Sequence, residues 1–229
     1  MEVTIDYRPS FSLAVAALMP GEEINVEAGA MVAMSDGVSL ETKAMGGLLA
    51  SLKRSILGGE SFFINTYRAP SSGGEIMLAP PLPGDIAVLS LEQQSLLVQS
   101  GAYVASSRGI EIDTRFGGAK TFFASEGLFL LCCSGSGTLV LSSYGAIHQR
   151  ELRAEEKYTV DTGHLVAFPD GIGFDVRAVG GLKSTLFSGE GLVVDLTGPG
   201  KILMQTRSSD AFLTWLLPQV ERRLPNKRR

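Results

Sequence analysis

The chain has 229 residues, 45% hydrophobic and 19% charged, with a formal net charge of −4 and a pI near 5.3. That length can bury the core of one large β domain or two small ones. The acidic balance makes the body a poor polyanion binder overall, because phosphate contacts require clustered Lys and Arg.

The amino-terminal stretch "MEVTIDYRPSFSLAVAALMPGEE" is acidic, and its apolar run is short and interrupted, which argues against a signal peptide. No window reaches the roughly 18 uninterrupted apolar residues of a membrane-spanning helix. A soluble, cytoplasmic protein is therefore expected. "LAVAALMPGEEINV" then reads as strand, turn, strand, and leads into "VEAGAMVAMSDGV" from Val26 to Val38.

That frame, V-x-x-G-x-x-V-A-x-x-x-G-[IV], returns as "VQSGAYVASSRGI" from Val98 and as "VDTGHLVAFPDGI" from Val160. The starts lie 72 and then 62 residues apart, so the copies differ by loop length. Each copy is preceded by a strand-like stretch with a polar turn near its middle, "IAVLSLEQQSLLV" before the second and "IHQRELRAEEKYTV" before the third. Each is followed by an acidic residue opening an apolar run: Glu60, Glu126 and Glu190. A glycine-bearing turn and a second apolar run complete the pattern, which reads as a hairpin. The glycines suit tight turns that need positive φ.

The expected fold is all-β. Residues 1–207 form one domain of three similar β units, about 12–85, 86–145 and 146–207, arranged as a pseudo-threefold prism or barrel-like body. One unit alone would leave an apolar face and strand edges uncovered, and packing three together covers both. Residues 208–229 form a short helix and a basic tail. The helix is "SDAFLTWLLPQVERRL", with Ser209 or Asp210 as N-cap, an apolar stripe at Phe212, Leu213, Leu216 and Leu217, and a break or kink at Pro218. The tail "RRLPNKRR" is the one basic run.

The three glycine frames, with "PGDIAVLSL", "SEGLFLLCCSGSGTLVLSSYGAI" and "GEGLVVDLTGPGKILMQTR", resemble bacterial relatives of the altered-inheritance-of-mitochondria 24 proteins over about residues 3–207. The resemblance implies a β-prism-like fold grouped with the tryptophan RNA-binding attenuation protein, and it supplies no catalytic residues. Fold similarity alone does not carry that protein's RNA or tryptophan sites to this chain.

Catalytic signals are sparse. His148 and His164 lie sixteen residues apart and form no His-x-His pair, so no transition-metal site is expected from them. Adjacent Cys132 and Cys133 on a strand point to opposite faces and do not bridge each other, which fits a reducing compartment. Glu60, Glu126 and Glu190 are expected to cap their own turns rather than converge on a cation. No cofactor is expected.

The first copy is the longest between frame and acid: 22 residues separate Gly37 from Glu60, against 16 and 18 at the matching places. The extra length holds "MGGLLASLKRSILGG", where Leu48, Leu49, Leu52 and Ile56 fall at helical spacing beside Lys53 and Arg54. A short helix with an apolar stripe needs a cover. These six residues are the candidate interaction surface. The functional expectation is a non-enzymatic scaffold or interaction protein that forms a homo-oligomer, with peripheral membrane contact as the weaker option. A small-ligand or RNA-binding module is the alternative, by fold analogy.

Overall fold

The structure is a computed structural model and describes residues 1–41, 63–113, 129–179 and 192–223. It is mostly β. The strands are β1 (Glu2–Asp6), β2 (Leu13–Leu18), β3 (Glu23–Glu27), β4 (Met31–Met34), β5 (Ser39–Glu41), β6 (Ile64–Arg68), β7 (Gly74–Leu78), β8 (Ile86–Gln99), β9 (Tyr103–Ser107), β10 (Ile110–Asp113), β11 (Leu130–Ser142), β12 (Ile147–Leu152), β13 (Lys157–Asp161), β14 (Leu165–Pro169), β15 (Gly173–Ala178), β16 (Leu192–Thr197) and β17 (Gly200–Gln205). Among the described residues one α-helix, α1 (Ser209–Glu221), follows.

Period-two burial explains the strands. In β2, Ala14, Ala16 and Leu18 are buried and their neighbours are not; in β3 the buried residues are Ile24 and Val26. The ladders follow one scheme in three successive segments. In β2–β7, the first strand pairs the last, the second pairs the fifth, the third pairs the last and the fourth pairs the fifth. The same four pairings recur in β12–β17. In β8–β11, two long strands each do the work of two, and the pairings are again equivalent.

The polar middle before the second frame is not a turn. β8 runs unbroken through it, and Gln93 takes φ 54 where the β8–β11 register shifts. Gly21 (φ 72) and Glu155 (φ 61) occupy the matching places, 72 residues before and 62 after. The frame glycines also act for mixed reasons. Gly37 has φ 79, as a tight turn requires. Gly109 has ordinary φ and is needed for space, because a Cβ there would fall on the Ser136 carbonyl oxygen.

Three hydrophobic clusters fill the body. One centres on Ala14, Ile24, Ile76 and Leu78, one on Ile110, Leu131 and Leu139, and one on Leu152, Val194 and Ile202. Among the described residues the sheets do not close into a barrel. The helix is capped by Ser208, not by Ser209 or Asp210: its Oγ accepts from Ala211 N at 3.4 Å. The helix passes through Pro218 and continues to Glu221, although that proline has no N–H to donate to the Thr214 carbonyl.

Candidate interaction edge

Successive segments meet at strand edges, and the glycine frame makes the joint. β3 pairs β9 with Val26 opposite Ala105. β8 pairs β14 with Val98 opposite Ala167. Each time, the first Val of one frame faces the Ala of the next. The Val-Ala pair then enters the core of the preceding segment. Val104 and Ala105 belong to the cluster built on Ile24 and Ile76, and Val166 and Ala167 to the one built on Leu131 and Leu139.

The end of each joint is also fastened. Three residues beyond Ala105, Arg108 Nη1 lies 3.1 Å from Glu23 Oε2. At the equivalent place in the second joint, Asp170 N donates to the Ser95 carbonyl at 3.1 Å.

The first frame differs. β4 is the terminal strand of its sheet and pairs β7 alone among the described residues. Met31, Val32 and Met34 are 38%, 57% and 43% exposed, whereas the matching Tyr103–Ser106 and Leu165–Phe168 are all at 0%. β13, which carries the first Val of the third frame, likewise ends its sheet and, among the described residues, pairs β16 alone. The same residue types in the same frame are covered twice and left bare once.

A second apolar surface lies on α1, none of whose residues is buried. Phe212 and Trp215, one turn apart, are 37% and 62% exposed, with ring centroids 6.0 Å from each other. Phe212 meets Tyr144 edge to face, with ring centroids 6.1 Å apart.

The sequence-derived chemical candidates are placed as follows. His148 is exposed on β12, while His164 Nδ1 lies 2.8 Å from the Gln205 carbonyl. Cys132 packs against the third core and Cys133 lies inside the second, on opposite faces of β11. Burial, aided by the neighbouring Cys132, pushes the Cys133 thiol up to about 12, and burial with the nearby Asp170 and Asp113 raises Cys132. Neither is an activated nucleophile. Glu60, Glu126 and Glu190, and the stripe Leu48, Leu49, Leu52, Lys53, Arg54 and Ile56, lie outside the described residues.

Other glutamates cap turns. Glu22 Oε2 accepts from Met19 N at 2.8 Å, and Glu156 Oε2 accepts from Arg153 N at 2.9 Å, at matching positions. Sequence reading also missed Asp85, which is buried between segments. Its oxygens accept from Arg8 at 2.8 and 2.9 Å, from Ser12 Oγ at 3.3 Å and from Ile86 N at 2.9 Å. Burial works to raise its pKa, but the Arg8, Ile86 and Ser12 donors outweigh it and hold the carboxyl below the usual range.

The sequence profile of the family described as "Mitochondrial biogenesis AIM24" matches residues 3–207. The chain belongs to this AIM24 family. An uncharacterised protein of Streptococcus pyogenes serotype M6 is similar to it, 31% identical over 220 residues, covering 93% of this chain and 88% of that one. A crystal structure of another Streptococcus pyogenes protein is similar at 29% identity, with a TM-score of 0.79 over 95% of this chain and 99% of that one. Among the described residues, no helix of this AIM24 chain is long and apolar enough to cross a membrane.

Proposed function

We propose that this AIM24-family chain is a non-enzymatic scaffold that self-associates, built from three copies of one β unit joined edge to edge. The observation that carries the reading is the bare β4 edge. A frame whose Val-Ala pair is fully covered in two settings is exposed in the third. Soluble proteins protect such edges, and an exposed apolar one is a template for pairing. A prism closed about a threefold axis would need a third joint, between β4 and β13. The test is sedimentation velocity of the purified chain over a hundredfold range of concentration. Concentration-dependent species larger than 24.3 kDa are expected. A single chain-sized species throughout would overturn the proposal.

A second reading, peripheral membrane contact, has its own support. Trp215 stands exposed on α1, and Arg222, two turns on at the helix end, lies on the same side. An amphipathic aromatic on the same side as a cation suits an anionic interface. Flotation with anionic vesicles, lost in Trp215→Ser, is the expected result.

A further inference from the structure

We infer that a second copy of this chain docks head to tail, its β13 pairing antiparallel with β4, with Val160 opposite Ala33. The inference rests on the self-association proposed above and names its surface and register.

The two joints inside the chain set the rule. In each, the second strand of one segment meets the third strand of the next. Val26 faces Ala105 and Val98 faces Ala167. Continuing the rule past the third segment brings the second strand, β13, to a third strand, β4. Both are sheet-terminal strands in this chain. The apolar groups match as well. Val104 and Ala105 fill the first core, and Val166 and Ala167 fill the second. The third core has no such pair among its members, and Val32 and Ala33 have no core. The surplus at one end of the chain is what the other end lacks.

The charges agree independently. Val160 opposite Ala33 sets Thr159 opposite Met34 and Lys157 opposite Asp36. Those last two are the positional equivalents of Glu23 and Arg108, which form the ion pair at the first joint. Lys157 and Asp36 are both exposed and of opposite sign, with the polarity reversed. An unrelated pair of surface residues has no reason to complement in the one register that the ladders dictate.

A joint of this kind is heterologous, so it propagates into a ring or an open filament rather than stopping at a twofold dimer. Backbone pairing supplies affinity, as in strand addition, and the Val-Ala insertion supplies specificity.

The test uses the full chain with Cys132→Ser, which leaves the buried, unreactive Cys133 in place. Met34→Cys and Thr159→Cys are made separately, mixed, and treated with a short bismaleimide. A covalent dimer is expected from the mixture, with far less from either variant alone. A chain carrying both is expected to give a ladder of multimers. Val32→Asp, at an exposed site, should keep the β circular-dichroism signal and weaken association roughly tenfold or more. If the doubly substituted chain instead links internally at the mass of one chain, the joint closes within the molecule and this inference is wrong. If multimers persist in Val32→Asp and no 34–159 link forms, self-association stands but uses another surface. If the wild type is a single chain at every concentration, both proposals fall.

Discussion

Val32, Val104 and Val166 hold the same place in the same frame, yet truncating them should have unequal consequences. Val104→Ala removes two carbon groups from a fully buried side chain. The transfer term is about 1.6 kcal/mol at about 0.8 per carbon. The residual cavity adds about 1 kcal/mol, because backbone on both sides holds the site open. The total is about 2–3 kcal/mol. At roughly 2–4 °C per kcal/mol for a chain of this size, the Tm falls by roughly 5–10 °C. Val166→Ala should match it. Val32, 57% exposed, should cost a single chain less than about 0.5 kcal/mol. The assay is urea unfolding followed by far-ultraviolet circular dichroism, since Trp215 is too exposed to report on the core. Samples must be dilute enough for light scattering to show single chains. If Val32→Ala costs as much as Val104→Ala under those conditions, β4 is covered within its own chain.

The frame glycines should separate in the same way. Gly109→Ala sets a Cβ against the Ser136 carbonyl and should cost about 2 kcal/mol or more. Gly37→Ala, at φ 79, should cost about 1 kcal/mol. Gly171→Ala, with open space and ordinary φ, should be neutral or stabilising by about 0.5 kcal/mol in thermal melts. Asp85→Ala leaves the Ser12 hydroxyl and the Ile86 N–H without their acceptor, while Arg8 is half in solvent already, and should cost about 1–3 kcal/mol in the same urea assay. The folded pKa of Asp85 lies below its unfolded value, so its contribution is complete at neutral pH and is lost as the pH falls below about 4. The acid limb of the stability profile should therefore flatten in Asp85→Asn; an unchanged limb would show that other carboxylates set it.

The repeated frame, the short strands and the carboxy-terminal helix were legible because each depends on residues close in sequence. Alternating burial in "LAVAAL" is a local pattern, and so is the Ser208 cap, although the cap lies one residue earlier than periodicity suggests. The bare edge was not legible. "MVAM", "YVAS" and "LVAF" carry the same instruction, and their different fates depend on which segment has a neighbour. The break at "LEQQS" was misread because a polar residue at positive φ looks like a turn, whereas Gln93 is a bulge in a continuous strand. Asp85 gave no signal at all, since its donors Arg8 and Ser12 lie 77 and 73 residues away.

A chain of like units that meets its own kind has a hazard. Every second strand could pair every third strand, giving swapped or slipped assemblies. Reversed charge at the terminal joint discourages two of these pairings. Placing β13 against β9 would set Lys157 beside Arg108, and placing β3 against β4 would set Glu23 beside Asp36. Both are like-charge contacts, and specificity of this sort comes from penalising the wrong partner. Charge reversal tests it. Lys157→Glu sets a like charge opposite Asp36. An exposed pair is worth about 0.2–1 kcal/mol, and repulsion adds a similar amount. Association should thus weaken roughly threefold to tenfold by sedimentation at low salt, and less at high salt, where screening erases the difference. Adding Asp36→Arg should restore the affinity while giving the terminal joint the Glu-to-Arg polarity of the first. That double variant then no longer discriminates between joints, so heating and recooling should yield a broader spread of sizes than the wild type gives. If Lys157→Glu leaves the size distribution unchanged at low salt, the two residues do not face each other and the register is wrong.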